Sequence, residues 1–167
     1  ATIQRQIARR MAVLQISEQD DYLTYLLSDR VEARILSKNM LVSVTSFYRD
    51  PPVWDQLAHV LAGELRDRTG GEPIRLWVPG CATGEEPYSI VMALYERYGP
   101  VTERLFEITA VDIDRRALEK ARAGLYGAFA FRALPVDLRE RYFTAAGDQR
   151  RQIAEVIRRQ VRLRPFN

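Results

Sequence analysis

The chain has a single cysteine, Cys81, and a single histidine, His59. One cysteine excludes an intrachain disulfide and a cysteine-rich zinc site, and one histidine excludes a histidine-rich metal site. We therefore predict no metal centre. Because scarce cysteine is typical of a reducing compartment, we expect a cytoplasmic location.

Long apolar runs are absent as well. No stretch approaches the roughly 20 apolar residues that span a bilayer, and the first residues are polar and carry arginine, unlike the core of a signal peptide. We expect no membrane insertion. The chain has 167 residues, 47% of them hydrophobic and 28% charged, which is typical of one globular domain with or without a small appendage.

Positive charge is concentrated near the two ends of the sequence. The net charge is only +3, but Arg5, Arg9 and Arg10 cluster near the start. A second cluster lies near the end: Arg150, Arg151, Arg158, Arg159, Arg162 and Arg164. Such clusters suit nucleic acid or an acidic protein surface, and each arginine alone also fits an ordinary solvated face. Neither cluster is interleaved with the aromatic residues of single-strand binders, so we predict no nucleic-acid partner.

Residues 1–70 have the periodicity of short helices. A helix over residues 2–15 is predicted by apolar residues at helical spacing: Ile3, Ile7, Met11 and Leu14. Ser17 and Asp20 resemble a capping box that opens a second helix, and a third is predicted to reach Met40. A fourth begins after an acid and two prolines at residues 50–52 and ends near Arg68.

The glycine-containing break at residues 69–73 marks the predicted domain boundary. Residues 1–70 then form an N-terminal helical subdomain with a linker helix, and residues 71–167 form a second domain. In that domain, strands are predicted over residues 74–78 and 106–111, and helices over residues 85–98 and 114–123. Alternating strands and helices imply a parallel sheet.

The last third of the chain has weaker patterns. We predict a helix over residues 135–143, a polar loop over 144–152 and a third strand over 161–166, and residues 153–159 fit either a helix or a strand. A doubly wound sheet normally has five or more strands. We therefore expect the chain to be the first half of such a domain, with weak activity on its own and an open sheet edge that favours self-association.

The turn after the first strand carries the most information. Gly80, Ala82 and Gly84 alternate in a small-residue turn that lets a ligand approach the backbone, and Glu85 and Glu86 follow at once. Acidic residues disfavour a phosphate at this position and favour a ligand with positive charge. The combination predicts a site for a sulfonium nucleotide, S-adenosylmethionine.

An acid follows the second strand. Asp112 is placed to accept hydrogen bonds from both hydroxyls of a ribose, as acids do at this point of nucleotide-binding folds. Either Asp112 or Asp114 could instead cap the next helix, and Asp114 fits that role better. The spacing from Gly84 to Asp112 exceeds the roughly 20 residues of the dinucleotide fingerprint, which counts against NAD.

Residues 45–50 precede the sheet domain, and within them two aromatic residues, Phe47 and Tyr48, are followed by Arg49 and Asp50. Arg49 fits a surface residue packed on a ring, and it also fits a lid over the nucleotide site.

Three motifs together resemble the CheR-type chemotaxis receptor methyltransferases. They are residues 44–51 (Val-Thr-Ser-Phe-Tyr-Arg-Asp-Pro), residues 77–90 with their Gly-Glu-Glu-Pro-Tyr-Ser string, and residues 112–114 with 118–126. The resemblance covers essentially the whole chain. It implies an α/β fold: a small N-terminal helical subdomain, then the first half of a Rossmann-like S-adenosylmethionine-dependent methyltransferase sheet, with residues 144–160 in the region of a β-subdomain.

The resemblance also implies an activity and a site. The family transfers a methyl group from S-adenosylmethionine to receptor glutamates, leaving S-adenosylhomocysteine. Arg49 would be catalytic, and the cofactor would be bound by Thr45, Arg49, Gly80, Ala82, Gly84, Glu86, Asp112 and Asn167. Ser43 stands where family members often carry an asparagine. The basic first helix, through Arg5, Arg9 and Arg10, would meet the acidic helical methylation region of a chemoreceptor.

Methyl transfer to a carboxylate needs no general base, which agrees with the lack of histidine in these motifs. We predict that His59 and Cys81 are structural. A non-catalytic module that binds a receptor or a regulator through the basic helix is the alternative function. A nucleotide-dependent oxidoreductase is disfavoured by Glu85 and Glu86, which lie where a pyrophosphate would bind.

Overall fold

The computed structural model describes residues 2–40, 45–67 and 71–166. The chain divides into two compact units, Ala1–Val42 and Ser43–Asn167, which we call the helical unit and the sheet unit. The sequence places the domain boundary at residue 70 instead. The difference is α4 (Pro52–Asp67), whose Leu57, Leu61 and Leu65 pack into the core of the sheet unit. Ser43, Arg68 and Asn167 lie outside the described residues.

The described part of the helical unit consists of three helices, as the apolar periodicity predicts. They are α1 (Thr2–Leu14), α2 (Gln19–Ser28) and α3 (Arg30–Met40). Met11, Tyr22 and Leu36, one from each helix, are buried together at its centre. The predicted capping box at Ser17 is wrong, because Glu18 occupies the N-cap position of α2 and its side chain makes no capping hydrogen bond.

A buried carboxylate ties the three helices together. Arg10 donates Nε–H to Glu32 Oε1 at 2.9 Å and Nη2–H to Oε2 at 2.6 Å, and the Tyr22 hydroxyl donates to Oε1 at 2.8 Å. The hydrogen bonds from Arg10 hold the pKa of Glu32 below its usual value. Arg10 therefore fastens α1 to α3 instead of presenting a free surface charge, whereas Arg5 and Arg9 are exposed.

The sheet unit is built on a parallel sheet with the order β1-β2-β6. Its strands are β1 (Ile74–Pro79), β2 (Phe106–Asp112) and β6 (Val161–Pro165). In the register, Val78 pairs with Ala110 and Ala110 with Leu163. Central parallel strands are buried on both faces, and β2 accordingly buries Phe106, Ile108, Ala110 and Val111. The predicted α/β fold class and the third strand are confirmed.

Helices and one short turn connect these strands. They are α5 (Glu85–Tyr98), a 3₁₀ turn (Gly99–Val101), α6 (Thr102–Leu105) and α7 (Arg115–Ala123). α5 has the bounds predicted from the sequence, and its Tyr88, Val91 and Met92 are completely buried. α7 begins one residue later than predicted, because Asp114 is its N-cap and not its first helical residue. The Asp114 side chain accepts a hydrogen bond from the Arg116 N–H at 2.9 Å.

The sheet unit also contains a small antiparallel sheet with the order β3-β5-β4. Its strands are β3 (Leu125–Gly127), β4 (Phe143–Ala145) and β5 (Arg150–Ile153), and it is accompanied by a 3₁₀ turn (Ala128–Phe131), α8 (Val136–Tyr142) and α9 (Glu155–Arg158). The prediction of a polar loop over residues 144–152 is wrong at both ends, because the first residues belong to β4 and the last to β5. Phe143 and Ile153 pair across the hairpin and are buried, but strands this short give too few alternations to be recognised from sequence.

Phe47 joins the segment before α4 to this small sheet. Its ring is completely buried, with centroids 4.7 Å from Tyr126, 5.6 Å from Phe131 and 5.0 Å from Phe143. The Phe47 N–H also donates to the Ala130 carbonyl at 2.9 Å. Aromatic contacts of this kind fix the backbone on either side of the ring.

Within the described ranges, no helix is long and apolar enough to cross a bilayer.

Candidate cofactor and methyl-transfer site

The 80–84 loop, at the end of β1, has positive φ at alternate residues. Gly80 has φ 67°, Ala82 φ 47° and Gly84 φ 93°. Two hydrogen bonds fix the turn: the Cys81 N–H donates to the Val111 carbonyl at 3.0 Å, and the Gly84 N–H to the Cys81 carbonyl at 2.9 Å. A left-handed conformation at Ala82 costs about 1–3 kcal/mol, and such strain is common where a backbone is shaped for a ligand.

Asp112 holds this loop against the end of β2. Its Oδ2 accepts the Ala82 N–H at 2.7 Å, and its Oδ1 accepts the Asp114 N–H at 2.8 Å. Each carboxylate oxygen has a further lone pair, and Asp112 remains partly exposed. The prediction that Asp114 caps α7 is confirmed, and Asp112 has acceptor capacity left for a ligand at the edge of the sheet.

The two glycines of the loop face different surroundings. A Cβ on Gly80 would meet nothing within 4 Å, so the space next to it is open. A Cβ on Gly84 would lie 2.9 Å from Ala121 Cβ and 2.9 Å from Tyr88 Cε2. Gly80 therefore leaves room for a ligand, whereas the close approach that Gly84 permits is between the loop and α7.

Thr45, Arg49 and Glu86 line one cavity of about 230 Å³. We call it the Arg49 cavity. Ser46, Asp50, Val53 and Trp54 complete its lining. Its lining carries charges of both signs and two apolar side chains, which suits a ligand that carries a cation and an anion close together.

The two adjacent glutamates in the first turn of α5 have different surroundings. Glu85 is 5% exposed and its Oε2 accepts the Thr83 hydroxyl at 2.6 Å, and burial raises the pKa of its carboxyl group. Glu86 lines the Arg49 cavity. Desolvation raises the pKa of Glu86, while the positive charge of Arg49 acts in the opposite direction. Glu86 is therefore the glutamate available to a ligand.

Two side chains that were not predicted as site residues, Ser89 and Trp54, fix the backbone at Tyr48 and Arg49. The Tyr48 N–H donates to Ser89 Oγ at 3.0 Å, and the Ser89 hydroxyl donates to the Glu85 carbonyl at 2.7 Å. Trp54 Nε1–H donates to the Arg49 carbonyl at 3.1 Å. The only signal for Ser89 is its place in the Gly-Glu-Glu-Pro-Tyr-Ser string, four residues after Glu85 on the same helix face.

Cys81 and His59 lie outside this chemistry. Cys81 is 1% exposed, and burial raises the pKa of its thiol to about 12, which leaves it un-ionised at neutral pH. His59 lines a larger cavity of about 460 Å³ with Arg66 and Arg97, and none of the predicted site residues lines that cavity. Among the described side chains, no group of three or more His, Cys, Asp or Glu is arranged to hold a metal ion.

A parallel sheet whose first strand ends in a glycine turn, and whose second strand ends in an acid bonded to that turn, defines a Rossmann-like nucleotide-binding domain. The chain belongs to the CheR family: residues 43–167 match the family model described as CheR methyltransferase, SAM binding domain. The resemblance drawn from the three motifs is thereby confirmed, and S-adenosylmethionine is the cofactor of this domain.

Relatives named as methyltransferases match almost the whole chain. It is 37% identical to the probable biofilm formation methyltransferase WspC of Pseudomonas aeruginosa, over 100% of this chain and 39% of that protein. It is 29% identical to chemotaxis protein methyltransferase 2 of Vibrio cholerae, over 99% of this chain and 58% of that protein. With the Escherichia coli chemotaxis protein methyltransferase, identity is 32% over 84% of this chain and 48% of that protein. The chain thus spans about two to three fifths of the length of these relatives.

The described residues fit the cofactor in two respects. The space next to Gly80 and the remaining lone pairs of Asp112 suit a nucleoside at the sheet edge. The carboxylate of Glu86 suits positive charge in the Arg49 cavity. The individual contacts assigned to Thr45, Arg49, Gly80, Ala82, Gly84, Glu86 and Asp112 stay predictions, and that of Asn167 lies outside the described residues.

Proposed function

We propose that this protein transfers a methyl group from S-adenosylmethionine to glutamate side chains of chemoreceptors, as a protein-glutamate O-methyltransferase of sensory adaptation. The observation that carries the proposal is the meeting of Thr45, Arg49 and Glu86 around one cavity. These three residues come from two motifs well separated in sequence. Membership of the CheR family and relatives named chemotaxis protein methyltransferase support it.

The proposed reaction needs alignment more than acid–base catalysis. A glutamate substrate is already anionic at neutral pH, because its ordinary pKa is about 4.3. When bound, S-adenosylmethionine supplies a methyl group activated by a sulfonium. A carboxylate oxygen forms the new O–C bond, the C–S bond breaks with its electron pair left on sulfur, and no proton moves. The protein has to align the reacting atoms and exclude water.

Each predicted residue has a role in that alignment. We assign to Arg49 the orientation of the substrate carboxylate, since Arg49 is exposed and lines the cavity. Asp112 accepts the ribose hydroxyls, and Gly80 and Ala82 give the cofactor access to the backbone of the loop. Gly84 shapes the loop from behind by packing on α7. The cytoplasm is the compartment we propose, since the lone cysteine predicts a reducing setting.

Titration calorimetry with S-adenosylhomocysteine tests the site, with Asp112→Ala compared against Asp114→Ala. We expect Asp112→Ala to lose at least about tenfold in affinity, because it removes two ribose hydrogen bonds and one loop contact. Asp114→Ala removes only a helix cap, so it should lose about 1 kcal/mol of stability and keep its affinity. Equal affinities in Asp112→Ala and the unmodified chain would remove Asp112 from the ribose role.

Receptor methylation tests the reaction itself. We expect base-labile methyl esters on glutamates of a receptor's cytoplasmic helices after incubation with labelled S-adenosylmethionine, and much less label with Arg49→Ala. Label in base-stable form, or none on any receptor helix, would contradict the proposed function.

The alternative of a receptor- or regulator-binding module has one observation in its favour, the exposed pair Arg5 and Arg9 four residues apart on α1. Arg30 and Arg34 form an equally spaced and exposed pair on α3, so they provide a matched control. Reversing both charges of the α1 pair should weaken binding to an acidic receptor helix, and reversing the α3 pair should not. Binding without any methyl transfer would favour the module, and equal effects of the two reversals would remove the α1 surface from either function.

A further inference from the structure

One buried hydroxyl in the sheet unit has no partner. Within residues 2–40, 45–67 and 71–166, the polar or charged residues recorded as buried are Glu32, Ser46, Glu85, Ser89 and Thr102. Four of them make side-chain hydrogen bonds. Among the described residues, Ser46 Oγ is the one buried side-chain nitrogen or oxygen atom without a hydrogen-bond partner.

This missing partner requires an explanation, because burying a hydroxyl without a hydrogen bond is unfavourable. Ser46 is 2% exposed, and its neighbour Phe47 is held in the aromatic cluster. Alanine would fill the same space without burying an oxygen. The hydroxyl therefore contributes nothing to folding that alanine would not also provide.

Ser46 lies in the wall of the Arg49 cavity, where a ligand could supply the missing partner. The cavity of about 230 Å³ is smaller than the roughly 300 Å³ of a pocket that holds a whole drug-sized ligand. It can accept one end of a cofactor. The carboxylate of Glu86 matches the ammonium of such an end. The guanidinium of Arg49 has five N–H donors, so it can contact the carboxylate of the cofactor as well as that of the substrate.

We propose that Ser46 is a cofactor-binding residue whose hydroxyl donates a hydrogen bond to the amino-acid end of S-adenosylmethionine in the Arg49 cavity. The inference rests on the proposed function. Ser46 lies within the 44–51 motif, but the predicted site does not include it.

Two ligands separate this role from general damage to the site. S-adenosylhomocysteine carries the amino-acid end, whereas 5′-deoxy-5′-methylthioadenosine keeps the nucleoside and the thioether but lacks the ammonium and the carboxylate. We expect Ser46→Ala to bind S-adenosylhomocysteine about tenfold more weakly, the effect of one hydrogen bond to a charged group. Its affinity for methylthioadenosine should be unchanged.

Stability towards urea separates a cofactor-binding role of Ser46 from a structural one. If Ser46 had a structural role, Ser46→Ala would destabilise the protein. Ser89, a second buried serine of the same unit, makes two hydrogen bonds and serves as the matched control. Without ligand, Ser46→Ala should unfold at the same or a higher urea concentration than the unmodified chain, and Ser89→Ala at a clearly lower one.

The outcomes distinguish the two proposals. Failure of the unmodified chain to bind S-adenosylhomocysteine would contradict the cofactor site and the role of Ser46 with it. Normal binding that Ser46→Ala leaves unchanged would overturn only the role of Ser46, as expected if an ordered water is its partner. Equal weakening of both ligands, or a loss of stability like that of Ser89→Ala, would also overturn it.

Discussion

Replacing each of the two loop glycines by alanine makes the same chemical change in two different surroundings. Gly80 and Gly84 both have positive φ, 67° and 93°. A methyl group on Gly80 would project into open space. A methyl group on Gly84 would lie 2.9 Å from Ala121 Cβ and 3.2 Å from Tyr126 Oη. Neither neighbour can withdraw easily, because Ala121 belongs to a helix and the Tyr126 hydroxyl donates to the Thr83 carbonyl at 2.8 Å.

The magnitude follows from three terms, two common to both variants and one specific to Gly84. An alanine with positive φ costs about 1–2 kcal/mol, and the lower entropy of the unfolded alanine chain offsets about 0.4–1 kcal/mol of this. Gly80→Ala should therefore destabilise by about 1 kcal/mol. Gly84→Ala adds overpacking of about 1–3 kcal/mol, for a total of about 2–4 kcal/mol. With a urea m-value of about 1.5 kcal/mol/M, the two midpoints should differ by about 1–2 M.

Urea unfolding followed by tryptophan fluorescence measures this difference. Both tryptophans, Trp54 and Trp77, belong to the sheet unit, so the signal reports the unit that contains the loop. Gly80→Ala is the control for the backbone strain common to both variants. Midpoint shifts of equal size would refute the argument that Gly84 is required by its packing on α7.

Three further results are expected. Glu32→Ala should destabilise the helical unit by about 3 kcal/mol, measured by far-ultraviolet circular dichroism, because it leaves Arg10 without its buried partner. Since the folded pKa of Glu32 is lowered, its contribution is present above the ordinary glutamate pKa of about 4.3 and is lost as the pH falls through the folded value. Glu85→Gln should raise the stability of the sheet unit at pH 8 and much less at pH 4, because the raised pKa of Glu85 makes its charged form unfavourable. Cys81 should react with a thiol reagent only when the protein unfolds, because its thiol is buried and its pKa is about 12.

Each of these expectations has a contradicting outcome. An acid-unfolding profile that Glu32→Gln leaves unchanged would remove Glu32 from the pH response. A stability gain in Glu85→Gln that is the same at pH 4 and pH 8 would show that the buried charge of Glu85 is not its cause. Reaction of Cys81 in native buffer at the rate seen in urea would contradict its burial.

The type and order of the elements could largely be predicted from the sequence, because they depend on short-range patterns. The helix from Glu85 to Tyr98 follows from periodicity and its flanking glycines. The capping by Asp114 follows from its position before α7. The hairpin between β4 and β5 could not be predicted, because its strands have only three and four residues.

The site shows the same division between sequence and structure. The motifs identified Thr45, Arg49, Glu86 and Asp112 as candidates and assigned the chain to a methyltransferase family. They could not show that Arg10 is bound to Glu32, 22 residues away. Nor could they show that Ser46 is buried without a partner.

By itself, the sequence determined the α/β class, the glycine turn with its two acids, and the family, because all of these are encoded by residues close together in the chain. Only the tertiary structure decided what each motif residue contacts. The Ala82–Asp112 bond spans 30 residues and the Tyr48–Ser89 bond 41. Such contacts depend on how strands and helices pack, which local spacing does not specify. Packing is also what buries Glu85, exposes Glu86 to the Arg49 cavity, and leaves space beside Gly80 but none beside Gly84.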